Sequence, residues 1–361
     1  MTAKIGIEEE YLVVDPQTRH VTPRAAEVLA AAAQVMDLTQ EITRFQVEAR
    51  TPPSADLSQV GARLRAARRE VARAARECGL AVVASGIPVL GDVVPVPLSD
   101  GPRYEQGRVL YRALHDEISI CALHVHVDVP DPEHAVFVGN HLRPWLPTLI
   151  ALAANSPFFV GRDTGYASWR VISWSRWPVS GAPPYFPSFA DYELALAALE
   201  ESGAVMDRKT VFWDARPSPN LPTVEVRVAD VPLDVNDSLT IVGLIRALVV
   251  TALAHVARGD LGPPISPEVL RAAYWRAARD GIQGESLDLW GGGLVPAADM
   301  ARRLLEHVRP ALEDAGDAEF VEEGLELLVL RGSGAVRQRR AFGWGGGLAG
   351  VVDDLIEASQ A

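Results

Sequence analysis

The chain has 361 residues, 48% of them hydrophobic, and a formal net charge of -13. This length and apolar content allow a large core, whereas the acidic charge argues against a protein that binds the phosphates of nucleic acids. The two cysteines, Cys78 and Cys121, are too few for a disulfide framework and too far apart in sequence for a metal knuckle, which is typical of a protein in a reducing cytoplasm.

Apolar alternation predicts about six β-strands, and helical periodicity with Ser or Asp caps predicts helices between and after them. The predicted strands span residues 5–14, 41–49, 80–86, 118–129, 211–216 and 223–228. The predicted helices span residues 56–78, 103–116, 131–154, 188–202, 234–258, 266–280, 299–314 and 318–331. A proline-rich loop at 217–222 joins two antiparallel strands. This order predicts an α+β fold, in one domain over residues 1–361 that is helical from about residue 234.

The most apolar long segment, residues 239–257, is interpreted as a buried helix and not as a membrane span. Arg246 and His255 lie within it, and such side chains are costly in lipid. The N-terminus has no basic region followed by an apolar stretch, so we expect no secretory signal. A cytoplasmic protein without a membrane or nucleic-acid partner is therefore expected.

The first predicted strand contains three consecutive acids, Glu8, Glu9 and Glu10. Side chains at positions i and i+2 of a strand share a face, so Glu8 and Glu10 point one way and Glu9 the other. Because buried carboxylates need partners, this is either a solvated edge strand or part of a cation site. Glu48 lies on the second predicted strand, and Glu41, seven residues earlier, shares its face only if a bulge intervenes.

Two further predicted strands each present polar groups on one face. His124, His126 and Asp128 alternate with apolar residues, and imidazole and carboxylate groups are common partners of metals and phosphates. Glu225 and Arg227 also share a face, although that pair alone is an ordinary ion pair. We expect these groups to lie together on one surface of the sheet.

The acids of these strands, with one histidine, form an oxygen-rich set that suits Mg²⁺ or Mn²⁺ better than Zn²⁺. The acids of this set are Glu8, Glu10, Glu48 and Glu225. Lys4 and Lys209 are the only lysines in the sequence, so it has no glycine-rich phosphate loop ending in Gly-Lys-Ser/Thr. A bound triphosphate would then depend on divalent cations and arginines.

Seven motifs, in this order, resemble those of the carboxylate–amine ligase family, also called type 2 glutamate–cysteine ligases. The matching stretches are distributed through most of the chain. They are residues 6–11 (GIEEEY), 46–53 (QVEARTPP), 124–127 (HVHV), 154–157 (ANSP), 161–170 (GRDTGYASWR), 223–230 (TVEVRVAD) and 332–335 (GSGA). In combination they are highly specific for this family, whose catalytic domain is similar to glutamine synthetase.

The resemblance implies a curved, mostly antiparallel six-stranded sheet of the glutamine synthetase/guanidino kinase type, flanked by helices. ATP would enter a funnel-shaped site at one end and an amino acid at the other. The motif positions that would hold Mg²⁺ or Mn²⁺ are Glu8, Glu10, Glu48, His124 and Glu225. Glu41 is a secondary candidate for a metal ligand.

The resemblance also assigns roles to residues around the metals. Arg227 would contact the nucleotide and the transferred phosphoryl group, and His126 would face the nucleotide phosphates. Arg170 would lie near the substrate carboxylate. Asn155 and Ser156 either shape that pocket or simply pack in the core.

The implied activity is ATP-dependent formation of an amide from glutamate and an amine such as cysteine. The γ-carboxylate would be activated as an acyl phosphate, ADP and phosphate would be released, and a carboxylate such as Asp128 or Glu48 would take the proton of the amine. Asp128 stands where the family usually has glycine, and it either selects a cationic amine or binds solvent. We also expect a homo-oligomer, with a dimer favoured.

Two other functions fit parts of the pattern. A His-x-His metal-dependent amidohydrolase would use His124 and His126, but the histidines at 134, 141, 255 and 307 fall in predicted helices, so its remaining metal ligands are missing. A non-catalytic binding relative of the ligase fold would be expected to have lost metal carboxylates, whereas all of them are present. ATP turnover with a panel of amino acids distinguishes the three functions.

Overall fold

The computed structural model of the chain describes residues 3–33 and 37–359. Its strands are β1 (Ile5–Val14), β2 (Asp37–Gln40), β3 (Gln46–Arg50), β4 (Ala81–Val83), β5 (Ala122–Asp128), β6 (Phe158–Phe159), β7 (Arg162–Asp163), β8 (Ser180–Gly181), β9 (Phe212–Trp213), β10 (Ala215–Pro217), β11 (Thr223–Asp230), β12 (Glu285–Leu287) and β13 (Leu294–Pro296).

The helices lie between these strands and make up most of the chain after β11. They are α1 (Ala25–Ala31), α2 (Leu57–Glu77), α3 (Pro102–Tyr111), α4 (Ala113–Asp116), α5 (Pro132–Leu142), α6 (Leu146–Ala153), α7 (Trp169–Trp174), α8 (Phe189–Glu201), α9 (Val235–Val256), α10 (Pro267–Asp280), α11 (Ala297–Ala315), α12 (Ala318–Arg331), α13 (Gly334–Ala341) and α14 (Gly347–Ser359). The prediction of a helical C-terminal part is confirmed.

A seven-stranded antiparallel sheet lies at the centre of the fold. Its order is β10-β11-β5-β1-β3-β2, and β4 pairs with the C-terminal end of β1. Strand β1 is central, because it pairs with β5 through its first half and with β3 through its second. The predicted α+β fold with an antiparallel sheet is confirmed.

Helices α2, α5, α6 and α9 cover one face of the sheet. Alternate side chains of the central strands point into this helical layer and form the core with it. These side chains are Ile5, Ile7, Leu123, Val125, Val127, Val224 and Val226. Helix α9 is long and apolar enough to cross a membrane, but 72% of its most apolar window is buried inside the protein. It is the buried helix that the sequence predicts.

One predicted strand is instead part of a hairpin, which gives the sheet one strand more than predicted. Within residues 41–49 only β3 is extended, and it pairs with β2, which precedes it. Glu41 therefore lies in the connection between two strands and not on a strand. The turn reorients Glu41 relative to Glu48, so no bulge is needed to bring the two acids to one side of the sheet.

Two predicted helices are interrupted. Residues 131–154 form α5 and α6, joined by the 3₁₀ turn Arg143–Trp145, where Pro144 lacks the N–H that a continuous helix requires. Residues 103–116 form α3 and α4, which are separated at Arg112, whose φ is 50°. Side chains hold the starts of the longer helices, since Asp56 and Asp234 accept hydrogen bonds from first-turn N–H groups of α2 and α9.

A buried ion pair between Glu9 and Arg68 joins the sheet to the helices behind it. Arg68 Nε and Nη2 each donate to the Glu9 carboxylate at 2.9 Å, and both side chains are at most 2% exposed. Tyr11 Oη and Ser238 Oγ also donate to Glu9, each at 2.6 Å. Arg68 further donates to the carbonyl of Leu233, before α9. The pair therefore connects β1, α2 and α9.

Replacing Arg68 with alanine should destabilise the fold by about 3–5 kcal/mol, because the change leaves a buried carboxylate without its cation. Denaturant unfolding followed by circular dichroism measures this difference. Arg69→Ala, one residue away on the exposed side of α2, is the matched control and should change stability by less than about 0.5 kcal/mol. Equal effects of the two changes would contradict a structural role for the pair.

Candidate active site

A cavity of about 510 Å³ lies against the face of the sheet opposite the helical layer. Alternation places side chains of β1, β5 and β11 on this face, as the sequence predicts. The predicted residues that line it are Glu8, Glu10, Glu41, His124, His126, Arg170, Glu225 and Arg227. Glu48 is buried directly opposite Glu10 in the pairing of β1 with β3. The candidate residues thus come together, while their chemical roles remain predictions.

Glu8 lies between the two histidines of β5. His124 Nδ1 is 3.1 Å from one Glu8 oxygen and His126 Nε2 is 3.6 Å from the other. Burial opposes ionisation of Glu8, but the histidine hydrogen bonds outweigh it and hold its pKa well below the usual range. Burial and the charge of Arg227 lower the pKa of His124 to about 4. At neutral pH an ionised carboxylate therefore faces a neutral imidazole, which retains a lone pair for a metal.

Glu225 is held between two arginines. Arg216 Nε donates to one of its oxygens at 3.0 Å, and Arg227 Nη1 donates to the other at 2.7 Å. Burial alone would raise the pKa of Glu225, but the charges of Arg227 and Arg216 lower it to about 2. Arg227 also lies over the ring of Phe212, 5.5 Å from its centroid. Its Nε has no hydrogen-bond partner in the part of the chain that the structure describes.

Three further carboxylates form an acidic cluster, defined as Glu10, Glu41 and Glu48. Burial and the charge of Glu41 raise the pKa of Glu10 to about 8 and that of Glu48 to about 10. Burial likewise raises the pKa of Glu41. Arg50 Nε is 3.7 Å from Glu48 and also pairs with Asp37. Without a cation, the three carboxyl groups therefore do not all ionise together at neutral pH.

Over residues 3–33 and 37–359, no three His, Cys, Asp or Glu side chains are already arranged as a metal site. Two predicted ligands are engaged with protein groups instead, Glu8 with histidines and Glu225 with arginines. The donor chemistry nevertheless fits a hard divalent cation, since the acidic cluster offers buried carboxyl oxygens whose protons such a cation would replace.

Arg170 fixes the backbone beside Arg227. Its Nη1 and Nη2 donate to the carbonyls of Val228 and Arg227 at 3.2 and 3.0 Å. These carbonyls lie where the register of β11 shifts against β5, between Val226 and Ala229. Arg170 is 2% exposed, and its side chain also lines the cavity. It therefore reaches the site from α7 while holding the irregular part of β11 in place.

Asn155 and Ser156 pack in the core beneath Arg170. Asn155 N and Ser156 Oγ donate to the same oxygen of Asp230, at 2.8 and 2.7 Å. Both residues are fully buried and lie outside the cavity lining formed by the described residues, which favours the packing alternative. Asp128 lies opposite Thr223 at the end of β5 and is likewise outside that lining.

The cavity also contains cationic residues for which the sequence predicts no role. Arg216 lies directly opposite Glu225 in the hairpin of β10 and β11, and the predicted loop at 217–222 could have placed it there. Arg50 is part of the quoted motif 46–53 and lines the cavity. Lys209 lines it from a 3₁₀ turn, for which the sequence carries no signal.

Comparison with known proteins agrees with the predicted family. The model of glutamate–cysteine ligase family 2 matches residues 4–354. A protein of Nocardia farcinica named "Putative glutamate--cysteine ligase 2-1" is 47% identical over 358 residues, covering 98% of this chain and 93% of that protein. A protein of Mycolicibacterium vanbaalenii named "Putative glutamate--cysteine ligase 2-2" is 43% identical over 341 residues, covering 94% of this chain and 93% of that protein.

Solved structures share the fold at low sequence identity. A glutamate–cysteine ligase of Francisella tularensis in complex with AMP has a TM-score of 0.74 at 13% identity, covering 100% of this chain and 89% of that one. A bifunctional glutathione synthetase of Pasteurella multocida has a TM-score of 0.73 at 16% identity, covering 99% of this chain and 52% of that one. The structural likeness shows the fold, and the match along almost the whole sequence shows that the chain belongs to glutamate–cysteine ligase family 2.

Proposed function

We propose that this chain is an ATP-dependent carboxylate–amine ligase that forms a γ-glutamyl amide through γ-glutamyl phosphate and releases ADP and phosphate. The observation that carries the proposal is one cavity in which buried carboxyl groups with raised pKa, those of Glu10 and Glu41, lie beside arginines. Carboxylates suit divalent cations and arginines suit phosphate oxygens, which are the groups that phosphoryl transfer needs. Family membership and the names of the relatives support the same activity.

Arg227 is proposed to stabilise charge on the transferred phosphoryl group. Its Nη1 is fixed by Glu225 and its backbone by Arg170, so the guanidinium is oriented before substrates bind. Its Nε is buried without a partner among the described residues and Arg227 lines the cavity, so the guanidinium keeps donors for a phosphoryl oxygen. His126, which bonds to Thr223 at 3.0 Å, is proposed to face the nucleotide phosphates.

A divalent cation, Mg²⁺ or Mn²⁺, fits the carboxylates of the cavity. The residues that would hold it are Glu8, Glu10, Glu48, His124 and Glu225, with Glu41 beside them. When bound, it would offset the charge of the acidic cluster and of the nucleotide phosphates. Glu225 and Glu8 would then exchange some of their arginine and histidine contacts for the cation.

The proposed reaction has two steps. An oxygen of the γ-carboxylate attacks the γ-phosphorus of ATP, the bond to ADP breaks, and an acyl phosphate forms. The amine nitrogen then attacks the acyl carbon, the C–O bond to phosphate breaks, and the amine proton passes to a carboxylate or to water. One oxygen of the acid therefore leaves with the phosphate.

The hydrolase alternative receives less support from the site. His134, His141, His255 and His307 lie on α5, α9 and α11, and none of the four is among the described residues that line the cavity. His141, His255 and Asp260 instead contact one another elsewhere. A His-x-His metallohydrolase would have to draw its further histidine ligands from another part of the chain.

Oxygen transfer tests the ligase mechanism. With ¹⁸O in the γ-carboxylate of glutamate, and with ATP, Mg²⁺ and hydroxylamine as a small amine, one labelled oxygen should appear in phosphate for each hydroxamate formed. Mass spectrometry of the phosphate measures it. Arg227→Ala should lower both products together, by about 2–4 kcal/mol of barrier, the scale for losing one oriented donor. Arg271→Ala, on the exposed side of α10, should leave both unchanged.

Release of AMP and pyrophosphate, or of phosphate without label, would refute the acyl phosphate. Activation would then proceed by adenylation or another route, although the family assignment would stand. Absence of ATP turnover with a panel of amino acids would instead favour the non-catalytic alternative.

Glu48→Gln tests the cation site by separating stability from metal binding. In the unaltered protein Glu48 must take up a proton on folding at neutral pH, because its pKa is raised to about 10. The glutamine removes this cost, so without Mg²⁺ the variant should be more stable by about 1 kcal/mol, a rise in Tm of about 2 °C. Added Mg²⁺ should raise the Tm of the unaltered protein more than that of the variant, since ligand binding stabilises the folded state. Glu323→Gln, exposed on α12, is the control. An equal Mg²⁺-dependent rise in the Tm of the unaltered protein and of Glu48→Gln would exclude Glu48 as a ligand.

A further inference from the structure

An aromatic wall, defined as Tyr111, His115, Trp174, Trp177 and Phe212, lines one part of the same cavity. The rings form a continuous series of contacts: the Tyr111 and Trp177 centroids are 4.6 Å apart, those of Trp177 and Trp174 5.1 Å, and those of Trp174 and Phe212 4.8 Å. These residues come from α3, α4, α7 and β9 and from the turn after α7. Three separate stretches of the chain therefore bring rings to one place.

Polar atoms of this aromatic wall lack partners. Tyr111 Oη, His115 Nδ1 and Trp174 Nε1 are buried and make no hydrogen bond with any part of the chain that the structure describes. Their side chains belong to residues that are 8%, 4% and 4% exposed. Packing accounts for the rings, but not for three unpaired polar atoms in one wall, because each such atom costs stability. A ligand with both a ring and a hydrogen-bonding group would pair with them.

The aromatic wall adjoins the proposed reaction centre and carries no charge of its own. Phe212 lies under the guanidinium of Arg227, at 5.5 Å. Burial lowers the pKa of His115, so its imidazole is neutral at neutral pH. The negatively charged carboxylates of an acid substrate would bind the arginines of the cavity and not the uncharged aromatic wall. The attacking amine is neutral when it reacts, and its side group is the part of the two substrates that suits an uncharged aromatic surface.

We propose that the aromatic wall binds the side group of the acceptor amine, and that this amine is an arylalkylamine with a hydrogen-bonding group on its ring. The inference rests on the proposed ligase function and extends it to a substrate class. Cysteine would cover little of the wall and has no ring to stack on it. A ring hydroxyl both donates and accepts, so it suits unpaired groups of the wall, among them Tyr111 Oη, whose residue lines the cavity.

Competition among amines tests the proposal in the full-length protein. With ATP, Mg²⁺ and glutamate, kcat/KM is measured for hydroxylamine, ethylamine, cysteine, phenethylamine and tyramine. Tyramine should exceed ethylamine and cysteine by at least about tenfold, and it should exceed phenethylamine, which lacks the ring hydroxyl, by about tenfold or more.

Two variants locate the preference on the aromatic wall. Tyr111→Phe keeps the ring and removes the hydroxyl, so the ratio of kcat/KM between tyramine and phenethylamine should fall by about tenfold. Trp177→Leu should lower the ratio between tyramine and hydroxylamine by about tenfold or more. Trp344→Leu changes a tryptophan that is 81% exposed and lies outside the described cavity lining, and it should leave both ratios unchanged. Each ratio compares kcat/KM for two amines on the same variant, so a smaller fraction of folded protein does not change it.

Failure of this inference differs from failure of the proposed function. If hydroxamate forms but cysteine or ethylamine is preferred to every arylalkylamine, the ligase stands and the assignment of the aromatic wall is overturned. The same conclusion follows if Tyr111→Phe leaves the ratio of tyramine to phenethylamine unchanged. If no amine, hydroxylamine included, yields a product or releases phosphate, both proposals fail together.

Discussion

The disposition of negative charge on the two faces of β1 governs both the fold and the site. On the helical face Glu9 is fully buried and paired with Arg68, so its charge is balanced within the protein and joins three elements. On the opposite face Glu10 and Glu48 are buried, and burial together with the charge of Glu41 raises the pKa of each. Because one strand must place alternate side chains on opposite faces, the same short sequence supplies a structural ion pair and part of an acidic cluster whose pKa values are raised.

Irregular backbone in β11 places the cations of the site. A register shift between Val226 and Ala229 removes regular pairing where Arg227 lies, and bulges of this kind reorient side chains. Arg170 donates hydrogen bonds to the backbone carbonyls of Arg227 and Val228 in this irregular part. Asp230 lies 3.7 Å from Arg170. The arginine nearest the proposed chemistry is therefore oriented by a second, fully buried arginine, which explains why a cationic side chain with 2% exposure is retained in the core.

Local periodicity accounts for what the sequence predicted. The faces of Glu8, His124 and Glu225 follow from alternation alone, so the sheet face could be predicted before its partners were known. Glu41 was misplaced because a turn, not a bulge, precedes β3. The aromatic wall could not be predicted, since its members come from helices, a turn and a short strand that tertiary packing brings together. The position of Arg216 could have been predicted, because a short hairpin loop fixes which residue lies opposite Glu225.

The cavity is divided into a charged part and an uncharged part, and that division suits the two proposed steps. Phosphoryl transfer needs fixed charges, which Glu225 and Arg227 supply in a buried setting where they act strongly. Attack by an amine needs the neutral amine, and an apolar surface lowers the pKa of a bound ammonium group by desolvation. An aromatic wall beside Arg227 would thus favour the nucleophilic form of the acceptor and keep water from the acyl phosphate. Recognition of the amine and protection of the intermediate would depend on the same five side chains.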